Sequence, residues 1–198
     1  YSTDDGGDIR VNGGSPVIES VVIYGNSGQG GAAIAIYGSG VNVTIKNSRI
    51  TNNTGHGTGS ENSGGIHVSQ STLTLMNCTV SNNTAEGLFH RVQSTITVAN
   101  SIFWGNGGDE IKAREAGATV SVTYSDVDGG YTGTGNIDAD PLFVAAADGN
   151  YRLSDYSPVI GAGTSDGAPT TDLDGNARPN PSDSSPDMGA YENSNASA

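Results

Sequence analysis

The chain reads as all-β, a parallel β-helix (solenoid) of about five or more coils with a C-terminal cap, and three features predict this. One phrase is written four times at short intervals: "PVIESVVIYGN" (16–26), "VTIKNSRITNN" (43–53), "LTLMNCTVSNN" (73–83) and "ITVANSIFWGN" (96–106). Within each copy apolar and polar residues alternate, the period of a β-strand. And the 30 glycines among 198 residues, with only 34% hydrophobic residues, suit many short strands and tight turns better than helices.

The repeat can be followed along the chain. The inward residues are Val43, Ile45 and Ile50 in one copy, Leu73, Leu75 and Val80 in the next, then Ile96, Val98 and Ile102. Short strands precede the copies: "DIRV" (8–11), "GGAAIAI" (30–36), "GGIHV" (64–68) and the weaker "EIKA" (110–113). "VSVTYSDV" (120–127) is a degenerate fifth copy of the main strand. Equivalent positions Ser20, Asn47, Asn77, Asn100 and Tyr124 are 27, 30, 23 and 24 residues apart. Periods of that size mark stacked repeats; a propeller blade is longer, and no leucine framework is present. In a β-helix each coil lies about 4.8 Å from the last, so equivalent residues form columns. Asn47, Asn77 and Asn100 are therefore expected to stack as a hydrogen-bonded structural ladder. The second column, Asn26, Asn53, Asn83 and Asn106, is expected to supply the left-handed bends at the strand ends.

Composition narrows the function. Against 21 acidic residues stand 8 basic ones, a net charge of −13, which repels nucleic acid and anionic membrane surfaces. No apolar run is long enough to span a bilayer, so membrane insertion is not expected. No signal peptide opens the chain, which is also what a mature secreted form would show. The lone Cys78 occupies the place of serine in "NSRI" and "NSIF" and reads as a small buried residue.

The pairing of "GGAAI" and "GGIHV" with "IYGN", "ITNN", "VSNN" and "FWGN" resembles the GGA(I) and FxxN repeats of polymorphic outer-membrane proteins over residues 8–127. That resemblance implies a right-handed parallel β-helix of the pectin-lyase-like superfamily. Further on, "DADPLFV" (138–144), "YRLSDYSPVIGAG" (151–163), "TDLDGNARP" (171–179) and "DMGAYE" (187–192) together resemble the choice-of-anchor Q region. This implies export and display at a prokaryotic cell surface or beyond it. The expected organisation is coils over 1–135, a cap over 136–192 continuing the same domain, and a polar tail over 193–198. Leu142, Phe143, Tyr151, Leu153, Val159 and Ile160 are expected to cover the last coil. Nothing comparable protects the first.

Chemistry-bearing patterns are sparse. "GHG" at 55–57 resembles a triplet of polygalacturonases, but glycoside hydrolysis needs paired carboxylates, and no aspartate lies between Asp8 and Asp109. Lys46 and Arg49 point outward; their columns hold Glu19, Met76 and Ala99, and Val22, Thr79 and Ile102. No basic or acidic cluster forms across neighbouring coils, so a lyase base is not assembled and the two are expected as surface charges. Asp172, Asp174 and Asn176 in "DLDGN" have the alternating oxygens of a calcium loop, making structural calcium the one cofactor expectation. The resulting reading is a non-catalytic structural or adhesive protein that assembles head-to-tail through its β-helix ends into a homopolymer. The alternative is a carbohydrate-binding or polysaccharide-degrading module, with a surface glycan as partner.

Overall fold

The computed structural model describes residues 9–28, 30–56 and 63–195. The first rung contains β1 (Ile9–Val11), β2 (Val17–Glu19), β3 (Val22–Tyr24) and the short β4 (Ser27–Gly28). The second holds β5 (Ile34–Tyr37), β6 (Asn42–Lys46), β7 (Arg49–Thr51) and β8 (Thr54–Gly55). Rung three is β9 (Ser63–Ser69), β10 (Thr72–Met76) and β11 (Thr79–Ser81); rung four is β12 (Glu86–His90), β13 (Thr95–Ala99) and β14 (Ile102–Trp104). Rung five is β15 (Ile111–Ala113), β16 (Thr119–Thr123) and β17 (Asp126–Val127). β18 (Phe143–Ala145), a 3-10 turn at Ala146–Asp148 and β19 (Asn150–Leu153) follow. Like strands of successive rungs pair in parallel, giving three sheets of five strands: β1-β5-β9-β12-β15, β2-β6-β10-β13-β16 and β3-β7-β11-β14-β17. The tube is thus five rungs joined by four turn-to-turn steps.

Each copy of the repeated phrase is two strands around a bend. At the bend sit Ser20, Asn47, Asn77, Asn100 and Tyr124, all left-handed, with φ between 46° and 54°. Asn accepts that conformation readily because its short side chain bonds locally. Pairing is in phase through the rungs: Val43, Leu73, Ile96 and Val120 form one column, and Ile45, Leu75, Val98 and Val122 another. From the third sheet Ile23, Ile50, Val80, Phe103 and Val127 face the same core. Within the phrase, Ile102 belongs elsewhere: Phe103, one residue later, is the inward member, in register with Val80. Each such burial contributes about 1.5–3 kcal/mol. Strand β12 escaped the alternation pattern, because a single glycine precedes "LFH" and both faces of the strand are buried. Its His90 interrupts the inward column of Val11, Ile36 and Val68, and burial lowers its pKa, keeping the ring neutral.

The C-terminal region departs from the expected cap. The coil itself continues to Ile137, which bridges Asp126, while the Tyr124 N–H donates to the Thr134 carbonyl. Beyond that the chain does not lie across the last coil but runs back along the outside of the third sheet. Leu153, Val159, Ile160 and Met188 bury Ile102. The Ala190 N–H donates to Thr79 Oγ1 at 3.1 Å, and Tyr151 lies 5.3 Å from the Arg49 guanidinium. The strap therefore reaches from rung five to rung two. The reason lies in the outward column it covers: Arg49, Thr79 and the apolar Ile102 are not the uniform polar series that an open face would carry. The second sheet, by contrast, turns Thr44, Thr74 and Thr97 outward.

A pair of outward substitutions distinguishes the two faces. Ile102→Ala is expected to cost about 2–5 kcal/mol in urea unfolding, as for a core residue. Thr97→Ala on the uncovered sheet is expected to stay within about 0.5 kcal/mol.

Candidate functional site

The two asparagine columns exchange the roles expected of them. The ladder runs through Asn26, Asn53, Asn83 and Asn106. Backbone N–H and side-chain Nδ2 of each donate to Oδ1 of the next: 3.0 and 3.1 Å from Asn26, 3.0 and 2.9 Å from Asn53, 3.0 and 2.8 Å from Asn83. The left-handed residues at this corner are their predecessors Gly25, Asn52, Asn82 and Gly105. In the column proposed as the ladder, only Asn100 reaches a neighbour, Asn77, at 3.3 Å. Asn47, Asn77 and Asn100 instead donate to the strap carbonyls of Thr171, Asp187 and Thr164 at 2.7, 3.2 and 2.7 Å. A left-handed residue at the bend aims its amide at whatever covers the corner, and here that is the strap. Beside them runs a hydroxyl column. N–H groups of Val21, Cys78 and Ser101 donate to Oγ of Ser48, Ser101 and Ser125, and Cys78 takes a serine's place with its thiol donating to the Met76 carbonyl at 3.3 Å. Burial pushes that thiol up to about 12, so it stays protonated and inert.

The calcium-like loop is built around N–H donors. Asp172 accepts from the N–H groups of Asp174, Asn176 and Glu192 and from Asn176 Nδ2, all within 3.0 Å. Asp174 is held by Arg152 through two bonds of 2.6 and 2.8 Å. The donor set fits a closed hydrogen-bonded turn; a cation at this loop would have to displace those N–H groups. Next to it lies a hub built from "ARP" and "DMGAYE", motifs that the sequence marks without showing that they meet. Arg178 and Glu192 form a fully buried ion pair at 3.2 Å. Arg178 also donates to the Asp187 and Gly189 carbonyls. Asp187 receives the N–H groups of Gly161 and Asn193 at 2.7 and 2.6 Å, and burial still raises its pKa to about 6. Removing one member of such a pair costs about 3–5 kcal/mol, because a charge is left buried alone. The family-like motifs "DLDGN", "ARP" and "DMGAYE" thus meet in space to fold the strap.

The remaining candidates are scattered. His56 is exposed at the end of rung two; Gly57 and the insertion after it lie outside the described residues. Lys46 is not without a collaborator, since it pairs with Glu19 of the rung before at 3.1 Å. Arg49, expected as a free surface charge, sits against Tyr151 and donates to the Gly149 carbonyl. The two have different causes: Glu19 stands directly beneath Lys46 in the same column, while the partner of Arg49 comes from about a hundred residues away.

At the far end the ladder is closed by a carboxylate. Glu110 accepts the Asn106 N–H at 2.9 Å through Oε1 and its Nδ2 through Oε2. It thereby replaces both bonds that a further asparagine would supply. Burial lifts the Glu110 pKa to about 7. A cavity of about 370 Å³ opens beside it, lined in part by Ile111, Val127, Asp128 and Tyr131. Asp126, fully buried, accepts the Ala139 N–H through Oδ1, while Oδ2 has no partner. Burial, reinforced by Asp138, Asp128 and Asp140, raises it to about 7.

Three in-phase parallel sheets closed around one core, with an amide ladder at a corner, define a β-solenoid. The family described as "Right handed beta helix region" matches residues 2–137, and the chain belongs to that family. No match was found among curated proteins or among solved structures. Among the described residues no helix is long and apolar enough to cross a membrane.

Two measurements check these assignments. Asn83→Ala removes the Oδ1 that accepts the Asn53 N–H and one of its two Nδ2 hydrogens, the other staying on the Ile23 carbonyl, and is expected to lower stability by about 2–4 kcal/mol. Cys78→Ser, which restores the column's own residue, is expected to cost less than about 1.5 kcal/mol. The pH dependence has a definite sign. Asp126 and Glu110 have pKa values raised on folding, so their stabilising contribution is complete below their ordinary values near 4. It is lost as pH rises to about 7. The urea midpoint should be higher at about pH 5 than at about pH 8, and Asp126→Asn should flatten that difference.

Proposed function

We propose that this is a non-catalytic structural or adhesive β-helix, displayed at or beyond a prokaryotic cell surface, that associates head-to-tail through its ends. One observation carries the reading: the first rung offers unsatisfied pairing capacity on every side. Among the described residues β1, β2 and β3 each pair on one edge only. Asn26 donates into the ladder, and among the described residues no donor reaches its own Oδ1, the position where a preceding rung would attach. Val22 and Tyr24, 43% and 64% exposed, continue the face that the strap covers from rung two onward. At the opposite end, among the described residues, β15 and β16 pair with a strand on one edge only, with Asn136 Nδ2 on the Val122 carbonyl of β16, whereas Glu110 and Ile137 close the third corner. A joint between copies would thus run through the first and second sheets.

The non-catalytic part rests on how the perturbed carboxylates are used. Glu110 and Asp187 are acceptors for N–H groups that hold corners and strap together, not members of an exposed pair. The surface location is supported by the likeness of the coils to polymorphic outer-membrane-protein repeats and of residues 136–192 to the choice-of-anchor Q region. A carbohydrate-binding role is the second reading, favoured by an aromatic trough taken up below.

Size-exclusion with light scattering across a concentration series, followed by negative-stain microscopy, tests the assembly. The expected result is concentration-dependent growth into linear particles, reduced by Arg10→Pro on the open edge of β1. A monomer at every concentration overturns it.

A further inference from the structure

The only tryptophan of the chain stands in a trough between the barrel and the strap. Trp104 and Phe143, both partly exposed, line it together with Ser81, Asn82, Asp140 and Leu142, around a volume of about 330 Å³. Trp104 ends β14 and Asn82 follows β11, so the barrel supplies one wall; the segment entering β18 supplies the other. Leu142 is held at φ 49°, a left-handed conformation unfavourable for a leucine, and its side chain is 40% exposed. Two backbone bonds fix it there: its N–H donates to Asp140 Oδ1 at 2.9 Å, and its carbonyl accepts the Ser154 N–H at 3.0 Å. A strained residue that presents an apolar side chain to water is an arrangement typical of binding sites.

The polar atoms left over decide the ligand chemistry. Asn82 donates its Nδ2 to the Tyr151 hydroxyl at 3.0 Å, and Ser81 donates its hydroxyl to the Trp104 carbonyl at 2.6 Å. The side-chain polar atoms left without a partner among the described residues are two acceptors, Asn82 Oδ1 and the second carboxylate oxygen of Asp140, and one donor, the Trp104 indole N–H. A site richer in acceptors than donors, beside aromatic rings, suits a molecule with an apolar face and several O–H donors on its edge. It repels phosphates, sulfates and uronates, as does the net charge of −13. We propose that the Trp104–Phe143 trough is a binding site for a neutral saccharide, one pyranose ring lying against the indole and its hydroxyls donating to Asn82 and Asp140. This gives the second functional reading a place on the molecule and does not depend on head-to-tail assembly.

Because Trp104 is the single tryptophan, emission excited at its red edge reports this trough alone. Titrating the full chain with cellohexaose, xylohexaose and mannohexaose should give a saturable emission change with at least one of them, and none with oligogalacturonate. Asp140→Ala and Asn82→Ala keep the fluorophore and lie at the exposed rim; each should weaken binding about ten-fold, the loss of one good hydrogen bond. Thermal melts of both variants show that the barrel is intact. The inference is overturned if none of the neutral hexasaccharides produces a saturable change. It is equally overturned if both folded variants bind like the parent, or if choline chloride shifts the emission while the sugars do not. Repeating the titration at a concentration where the chain is monomeric keeps its outcome separate from that of the assembly experiment.

Discussion

The structure depends on keeping every rung in register with the next. In a solenoid each strand pairs only with the equivalent strands above and below, so one slipped residue would turn an entire inward column to solvent. Backbone bonds alone do not specify that register, since each N–H accepts any carbonyl at the right height. The asparagine corner does specify it. Asn26, Asn53 and Asn83 each present an N–H and an Nδ2 to a single Oδ1 of the following rung, and Asn106 presents its pair to Glu110. A slip would leave two buried donors unpaired in every rung at once. Coils as different in length as 30 and 23 residues can coexist because the insertions leave between these fixed corners.

Much of this was legible in the sequence, and the failures have physical reasons. The repeated phrase located the strands of the second and third sheets, since Val43, Leu73 and Ile96 alternate with exposed threonines. Period two cannot say which of two adjacent polar positions lies at the bend, however. Asn47 and Asn53 look alike in sequence; the backbone takes the left-handed turn at the first and leaves the second aligned for stacking. Strand β12 was invisible because both of its faces are buried, which removes alternation. The strap was misplaced because its hydrophobic residues were matched to the barrel's end. The surface that receives them is announced only by Ile102, sitting where the other outward faces place threonine.

The acidic composition also takes on a different meaning. A net charge of −13 suggests a solvated, repulsive surface, yet several carboxylates are interior parts. Asp172 and Asp187 each gather N–H groups that no carbonyl could reach, and Glu110 substitutes for a missing asparagine. Aspartate and glutamate serve here as two-pronged acceptors for irregular backbone, which is why they crowd the last two rungs and the strap. The regular rungs carry few of them, and no aspartate occurs between Asp8 and Asp109.

The strap has a further consequence, for cooperativity. A repeat array whose units touch only their neighbours can fray from one end, each rung melting without reference to those beyond it. Here Asn47, Asn77 and Asn100, on three successive rungs, are tied to one continuous stretch of chain between Thr164 and Asp187. Rungs two to four cannot open singly without releasing contacts that all of them share. The outer strip thus turns rungs two to four of a one-dimensional stack into a unit that holds or fails as a whole.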